Sequence, residues 1–358
     1  MSAPARVGIV GCGVISRHYA ENATAFESFD VVACADVDPA PAGALAAEHG
    51  LAVATVDELI ADPSIDVVLN LTPPAAHAAV LRPALAAGKH VYTEKPLAAT
   101  VAEAEELLAE AELGGLRIGC APDTFLSGAY QAARTLIDRG ALGEPLSVSA
   151  AMLIGGPESW HPNADIFFRD GGGPMLDMGP YYLTAIAALL GPFRRVAGFA
   201  ATRTRERVFG VGPRAGERFS VAIPTHAAAA MELGSGVTAN LVASFEAPGQ
   251  YVCDLQIHGT EGTLALPDPN AFTGPLRIRR AREGWQEVPF SSRGPQDARG
   301  IGLGEMVEAI SAGRPHRASG RLALHVLDVA TSVLRAAVEG RTIDVVTRCD
   351  RLEPMPPI

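Results

Sequence analysis

Lysine is the scarcest charged residue of this 358-residue chain. Basic charge is almost all arginine, and Lys89 and Lys95 are the only lysines. The formal net charge is −11 and no basic block rises above it, which excludes a nucleic-acid partner from the expected functions. Because lysine is dispensable elsewhere in the chain, a specific role for Lys95 is worth seeking.

Cysteines are few, and long apolar runs are missing. The five cysteines include no C-x-x-C pair and lie far apart, at Cys12, Cys34, Cys120, Cys253 and Cys349. This pattern is typical of reduced thiols in a cytoplasmic protein, and neither the cysteines nor the histidines have the spacing of a metal site. Gly, Pro or charged residues interrupt every apolar run well before the roughly 18 residues of a membrane span. The N-terminus has no recognisable signal peptide, so we expect a cytoplasmic protein without a membrane partner.

The segment 6–16, RVGIVGCGVIS, predicts a short strand that breaks into a glycine turn and then opens a helix. Gly11 would permit the tight turn, and Gly13 would let the backbone approach a pyrophosphate. The N–H groups of Val14 and Ile15 would begin a helix whose positive end favours that anion. Ser16 takes the third small position of the pattern. Alone, such a motif is weak evidence for a dinucleotide.

A carboxylate follows the second predicted strand at Asp36, 20 residues beyond Ser16. A dinucleotide fold needs a carboxylate there to accept hydrogen bonds from the ribose hydroxyls. The same carboxylate would repel a 2′-phosphate, and Val37 and Asp38 supply no compensating cation. We therefore expect NAD rather than NADP. The alternative is that Asp36 only begins the turn before Pro39.

Two further predicted strands, over residues 65–71 and 89–93, also end in polar residues. Ligands of open α/β sheets lie outside the carboxyl ends of the strands, so we expect these ends to pass the cofactor. The predicted cofactor-facing residues are Asn70, Thr72, Pro73, Glu94 and Lys95. His77 opens the helix between the two strands, and it either faces the cofactor or caps the helix in solvent.

Strands and helices alternate up to about residue 122, which predicts a doubly wound parallel sheet, an α/β Rossmann domain. From residue 146 onward strands follow one another, which predicts an α+β domain with a large, mostly antiparallel sheet. One long helix over about residues 175–190 interrupts these strands. We expect two domains, 1–122 for NAD and 123–358 for substrate binding and oligomerisation, with C-terminal helices that pack back on the first.

The motifs in this order resemble the glucose–fructose oxidoreductase/inositol dehydrogenase (Gfo/Idh/MocA) family of NAD(P)-dependent sugar oxidoreductases. They are the glycine turn with Asp36, the loop 70–77, Glu94-Lys95-Pro96, and the segment 171–181, GGGPMLDMGPY. The resemblance implies a cis proline after Lys95, with the lysine beside the nicotinamide and the substrate. It also implies a substrate role for Asp177 and a homodimer or homotetramer formed through the second sheet.

One position departs from the family pattern, because the motif ends in a histidine credited with acid/base work and this chain has Tyr181. Tyr181 could exchange the proton itself, with Lys95 as the cation that favours the phenolate. Alternatively Lys95 is the base alone, or His161 reaches in from the preceding loop. We favour Lys95 as the central group and Tyr181 as its partner. Asp177, four residues before Tyr181, would share its helix face and accept a hydrogen bond from a sugar hydroxyl or pair with Lys95.

The expected function is an NAD-dependent dehydrogenase of a sugar, inositol or related polyol, without a metal. The small-molecule substrate would lie between the domains, where such pockets commonly form. The catalytic residues would be Lys95, Asp177 and Tyr181, and the substrate-binding residues those three with Asp123, Trp160 and His161. Two alternatives stay open: a hydrolase or lyase that uses NAD for transient oxidation, and a sensor that binds nucleotide and sugar without turnover.

Overall fold

The computed structural model describes residues 3–356, which belong to two compact units. The first unit comprises the chain up to Ser127 together with Arg293–Leu324, and the second comprises Gly128–Ser292 and the chain from His325 onward. Between residues 3 and 356, no helix is both long and apolar enough to cross a membrane.

The first unit contains a six-stranded, fully parallel sheet in the order β3-β2-β1-β4-β5-β6. Its strands are β1 (Ala5–Val10), β2 (Phe29–Ala35), β3 (Ala52–Val53), β4 (Val67–Asn70), β5 (His90–Thr93) and β6 (Ile118–Cys120). Its helices include α1 (Val14–Ala23), α2 (Pro39–His49), α3 (Val56–Ala61), α4 (His77–Ala86) and α5 (Val101–Leu113). All four residues of β4 are buried, as parallel strands covered on both faces require. The predicted doubly wound sheet is confirmed.

The strand order reverses direction at β1, which lies between β2 and β4. In open parallel sheets the crevice outside the strand ends at such a reversal is where ligands bind. The glycine loop follows β1, and the loop that begins at Leu71 follows β4. The topology therefore brings these two loops to the same edge of the sheet.

The second unit contains a nine-stranded sheet in the order β16-β15-β14-β13-β7-β12-β11-β8-β17. Only the β7–β12 pair is parallel, so the predicted mostly antiparallel sheet is confirmed. The elements are α6 (Gly128–Asp138), β7 (Pro145–Ile154), α7 (Pro174–Asp177), α8 (Gly179–Leu190), β8 (Phe193–Ala201), β9 (Glu206–Val208), β10 (Arg218–Ser220), β11 (His226–Leu233), β12 (Thr238–Ser244), β13 (Tyr251–Gly259), β14 (Gly262–Leu266), β15 (Arg277–Arg280) and β16 (Gln286–Glu287). Strands β9 and β10 form a separate two-stranded hairpin.

The C-terminal part of the chain contributes to both units. Helix α9 (Ile301–Ser311) belongs to the first unit, where Met306 packs against the backbone of Gly119 in β6. The division between the units falls within α10 (Gly320–Glu339). Strand β17 (Ile343–Asp344) then pairs with β8 at the edge of the second sheet.

The single helix predicted over about residues 175–190 is wrong, because the structure has the two helices α7 and α8 there. Pro180 is the physical reason. It has no N–H to donate to the carbonyl of Leu176, so one continuous helix would lose a backbone hydrogen bond at that position. Helix α8 restarts after Met178, and the Tyr181 N–H donates to the Met178 carbonyl at 3.2 Å. Asp177 therefore ends one helix, and Tyr181 lies in the first turn of the next.

Candidate active site

The two glycines of the loop after β1 differ in their backbone angle and in the space available for a Cβ. Gly11 has φ +97°, and a Cβ there would lie 2.7 Å from the backbone of Leu71 and Thr72. Gly13 has an ordinary φ of −75°, and a Cβ there would meet no atom of the chain within 4 Å. Packing therefore explains Gly11 but leaves Gly13 unexplained. Since α1 begins after Gly13 without a side-chain cap, the loop has the form of an anion cradle.

Asp36 follows β2 and is tied to the glycine loop. Its Oδ2 accepts a hydrogen bond from the Cys12 N–H at 2.7 Å, and its Oδ1 accepts one from the Asp38 N–H at 3.0 Å. The carboxylate is half-buried, while the neighbouring Val37 is 95% exposed. The structure thus places the Asp36 carboxylate beside the glycine loop.

The loop after β4 is fixed by the Asn70 side chain. The Asn70 Oδ1 accepts hydrogen bonds from the Thr72 hydroxyl at 2.7 Å and the Thr72 N–H at 3.3 Å. Its Nδ2 donates to the Thr93 hydroxyl at 3.1 Å, at the end of β5. Asn70 is fully buried, so it joins two neighbouring loops through polar contacts within the chain.

His77 is fully buried, which excludes the solvent-exposed cap that the sequence left open. Its Nδ1 lies 2.7 Å from the Pro96 carbonyl oxygen, and its Nε2 lies 2.9 Å from the Thr72 carbonyl oxygen. Burial lowers the pKa of His77, whereas the two carbonyls and the Glu94 carboxylate favour the protonated ring. The imidazole lies between the β4 and β5 loops, and both of its nitrogens contact the backbone.

Glu94, Lys95 and Pro96 follow β5, and the Lys95–Pro96 peptide bond is cis. The Glu94 Oε1 accepts a hydrogen bond from the Tyr19 hydroxyl at 3.0 Å and lies 3.9 Å from the Arg299 Nη1. The Glu94 Oε2 accepts one from the Lys95 N–H at 3.2 Å. The buried Glu94 carboxylate therefore holds the Lys95 backbone, and the Lys95 side chain is half-buried.

Asp123, a predicted substrate ligand, is fully buried inside the first unit. Its Oδ2 accepts hydrogen bonds from the N–H groups of Gly300 and Gly302, at 3.2 and 3.0 Å. These are orphan donors at the start of α9, so Asp123 caps a helix from a distant part of the chain. Burial raises the pKa of Asp123. This structural position differs from the predicted substrate contact.

In the second unit, the segment between β7 and α7 carries a surface cluster of rings. The Trp160 side chain is 61% exposed and packs against His161 and Phe167, with ring centroids 5.5 and 6.1 Å away. The His161 Nδ1 accepts a hydrogen bond from the Asn163 N–H at 3.1 Å. Burial lowers the pKa of His161, and the Asp177 carboxylate opposes that shift. The structure therefore brings His161 and Asp177 into one electrostatic environment.

Tyr181 and Tyr182 occupy the first turn of α8, and both are buried. The Tyr182 hydroxyl donates to the Ala151 carbonyl in β7 at 3.3 Å, which makes it a packing residue. Lys95 belongs to the first unit, and Asp177 and Tyr181 belong to the second. Among residues 3–356, no group of three or more His, Cys, Asp or Glu side chains is arranged to hold a metal ion.

Family models match both parts of the chain. Residues 5–120 match the oxidoreductase family with an NAD-binding Rossmann fold, and residues 130–265 match the GFO/IDH/MocA C-terminal domain. The chain belongs to the GFO/IDH/MocA oxidoreductase family. The family resemblance predicted from the motifs is confirmed, and the protein is a member of a family of NAD(P)-binding sugar and polyol oxidoreductases.

Relatives of this family member match most of the chain. It is 27% identical over 357 residues to 1,5-anhydro-D-fructose reductase of Ensifer adhaerens, covering 96% of this chain and 99% of the relative. It is 33% identical to dTDP-3,4-didehydro-2,6-dideoxy-α-D-glucose 3-reductase of Streptomyces violaceoruber, covering 77% of each chain. An NAD-binding oxidoreductase from Klebsiella pneumoniae has a similar structure, with a TM-score of 0.83 and 26% identity, covering 97% of this chain and 100% of the other.

The residues of this family member fit a dinucleotide on the evidence of Gly13. Neither its backbone angles nor its neighbours require glycine, and the space that a Cβ would fill is open to a group outside the chain. A pyrophosphate that approaches the backbone at the α1 N-terminus accounts for this glycine.

Two residues that support the site carry no local sequence signal. Tyr19 and Arg299 both contact Glu94, yet Arg299 lies in the segment 293–324 that joins the first unit from far along the chain. Tyr19 reads only as a buried aromatic on α1. Their role follows from the fold, because it depends on which segments the tertiary structure brings beside β5.

Proposed function

We propose that this protein is an NAD-dependent oxidoreductase that moves a hydride between the nicotinamide and a secondary alcohol of a sugar, inositol or related polyol. One observation carries the proposal. The cradle at Gly13, the Asp36 carboxylate and Lys95 follow β1, β2 and β5 of a single parallel sheet, and so share its carboxyl edge. A ligand-binding edge that combines an anion cradle with a half-buried lysine suits hydride transfer coupled to proton transfer.

The residues proposed to hold NAD are those of the glycine loop and its neighbours. Gly13 and the N–H groups of Val14 and Ile15 would bind the pyrophosphate, and Asp36 would bind the ribose hydroxyls. Thr72 and Pro73, in the loop after β4, would border the same ligand, while Asn70, His77 and Glu94 hold the loops in place. Bound NAD would supply the hydride acceptor of the reaction.

Lys95 is proposed as the group that accepts the hydroxyl proton during oxidation and returns it during reduction. Tyr181 is proposed to hydrogen-bond to the substrate or to relay its proton. Tyr181 lies in the first turn of α8, at the position where the family motif has a histidine credited with acid/base work. Asp177 is proposed to accept a hydrogen bond from a neighbouring sugar hydroxyl.

Trp160 and His161 are proposed to recognise the sugar ring. The exposed Trp160 ring offers an apolar face to the C–H groups of a pyranose, and His161 offers a polar group beside it. The activities of the two relatives support a sugar substrate, since both relatives are sugar reductases.

The test is a screen of the purified protein with NAD and NADP against a panel of sugars and inositols, followed at 340 nm. A dehydrogenase accumulates NADH, whereas a hydrolase or lyase that oxidises its substrate transiently gives no net NADH. Lys95→Ala should lower turnover by roughly 10²–10⁴-fold with nearly unchanged NADH affinity. Wild-type turnover in that variant would overturn the proposed role.

The chain offers a matched control in its other lysine. The Lys89 Nζ is buried and donates to the carbonyls of Asp62 and Ile65, both at 2.7 Å. Lys89→Met should therefore lower the melting temperature but retain kcat. A loss of kcat equal to that of Lys95→Ala would show that removal of any lysine impairs the enzyme through folding.

A further inference from the structure

Residues 155–169, the larger part of the segment between β7 and α7, form two short 3₁₀ turns and irregular backbone. It carries Trp160 and His161, the two residues proposed to recognise the sugar. A segment of this kind has no sheet or long helix of its own to hold it, so its position must be set by what packs against it.

The β9–β10 hairpin packs against this segment through Arg207. The Arg207 side chain is only 6% exposed, and its guanidinium pairs with the Glu158 carboxylate and donates to the Gly155 carbonyl at 3.3 Å. The same guanidinium lies 4.9 Å from the centre of the Phe168 ring. One side chain thus contacts the start and the end of the segment.

Arg207 also connects the segment to the large sheet. Its Nη2 donates to the Phe245 carbonyl at 2.9 Å and lies 3.1 Å from the Glu246 Oε1, just beyond β12. The planar guanidinium suits several fixed acceptors at once, which a lysine ammonium on a flexible stem cannot reproduce. Arg207 therefore fixes the position of the segment relative to the large sheet.

The loop at the tip of the hairpin makes further contacts with the same segment. The Gly210 N–H donates to the Glu158 carbonyl at 2.9 Å, and a Cβ on Gly212 would lie 2.6 Å from the Pro162 Cβ. The Arg214 Nη1 lies 3.5 Å from the Asp165 Oδ2. These contacts flank Trp160 and His161 on both sides along the chain.

We propose that the β9–β10 hairpin is the specificity-determining support of the sugar-recognition segment, and that Arg207 is its positioning residue. The proposal rests on the proposed function, in which Trp160 contacts the sugar. Arg207 itself touches the segment and the sheet, so its effect on catalysis is indirect. Its loss would displace the Trp160 ring and weaken sugar recognition while leaving the NAD-binding unit unchanged.

The chain provides a fluorescence reporter for this proposal, because Trp160 and Trp285 are its only tryptophans. In a Trp285→Phe background, acrylamide quenching and anisotropy of the remaining tryptophan report the mobility of Trp160. Arg207→Lys is the test variant. Arg218→Lys is the matched control, since Arg218 lies in the same hairpin and pairs with Glu206 at the exposed surface.

In Arg207→Lys, we expect acrylamide to quench the fluorescence of Trp160 more readily than in the Trp285→Phe background. The same variant should raise the KM for the sugar by roughly tenfold and leave the KM for NAD within about twofold. Arg218→Lys should match the background in all three measurements. Should Arg207→Lys fold poorly, Arg214→Ala removes a more exposed contact of the same hairpin and should shift quenching and sugar KM in the same direction.

Two results would overturn the proposal. Unchanged quenching in both Arg207→Lys and Arg214→Ala would show that the hairpin does not position Trp160. Increased quenching with an unchanged sugar KM would show that the position of Trp160 does not govern specificity. Trp160→Ala separates this failure from that of the proposed function, because an unchanged sugar KM in that variant removes Trp160 from sugar recognition altogether.

Discussion

Gly13→Ala should separate cofactor binding from stability more cleanly than any other change in the glycine loop. The residue has φ −75°, which alanine adopts without strain, and the new methyl group would contact nothing in the chain within 4 Å. A Gly→Ala change at a compatible position stabilises by about 0.4–1 kcal/mol through the unfolded chain. Alanine is the poorer residue at a helix N-cap by about the same amount, so the two effects nearly cancel. We expect an almost unchanged melting temperature.

The affinity for NADH should nevertheless fall. A methyl group at the cradle would hold the pyrophosphate away from the N–H groups at the start of α1, and each tenfold loss of affinity corresponds to about 1.4 kcal/mol. We expect a weakening of roughly 10–100-fold, that is about 1.4–2.8 kcal/mol, measured by titration of NADH fluorescence. Calorimetric unfolding of the same preparation measures the stability.

Two other glycines calibrate this experiment. Gly43 lies within α2, where a Cβ also meets nothing within 4 Å, so Gly43→Ala should stabilise the helix by about 1 kcal/mol and leave NADH affinity unchanged. Gly11→Ala should destabilise the protein, because φ is +97° and the Cβ would lie 2.7 Å from backbone atoms. An unchanged NADH affinity in Gly13→Ala would refute the assignment of this loop as the pyrophosphate site.

Three further predictions concern selectivity, stability and pH. Asp36→Ser should weaken NAD binding and reduce the preference for NAD over NADP, measured as the ratio of the two kcat/KM values. An unchanged ratio would contradict the proposed contact between Asp36 and the ribose. Asp123→Ala leaves the N–H groups of Gly300 and Gly302 unsatisfied and should cost about 1–3 kcal/mol in the free energy of unfolding, with no change in sugar KM. Burial lowers the pKa of several histidines below the ordinary 6.5, namely His77, His90, His316 and His325. The unfolded chain therefore takes up protons first as the pH falls below about 6.5, and stability is lost in that range. His316→Gln should flatten the decline of melting temperature between about pH 6.5 and 5, and an unaltered slope would contradict this origin.

The sequence was a good guide to the first unit because its signals are local. Short buried runs, glycine turns and polar strand ends are each encoded by a few consecutive residues, and their alternation with helices is enough to predict a parallel sheet. The same locality explains the error at α7 and α8. The apolar pattern continues across Met178, whereas the structure divides the helix there, just before Gly179 and Pro180.

Partners far apart in the sequence could not be predicted. The acceptor pattern of Asp123 depends on Gly300 and Gly302, and that of Glu94 depends on Tyr19 and Arg299. A carboxylate near a predicted cofactor is interpreted as a ligand when its hydrogen-bond partners from distant parts of the sequence are unknown. The type of residue and its position at a strand end indicated that the residue belongs to the site. Which groups its polar atoms contact was decided by tertiary packing.

This distinction divides the motif residues into two groups with different physical consequences. Asn70, His77 and Glu94 direct their polar atoms to other groups of the chain, so replacing any of them breaks buried hydrogen bonds and should change stability together with cofactor affinity. Gly13 leaves its cradle open to an approaching group, so its replacement should change affinity at nearly constant stability. The correlation of melting temperature with NADH affinity across such variants therefore distinguishes residues that shape the site from residues that bind the ligand. The motif pattern in the sequence alone does not make that distinction.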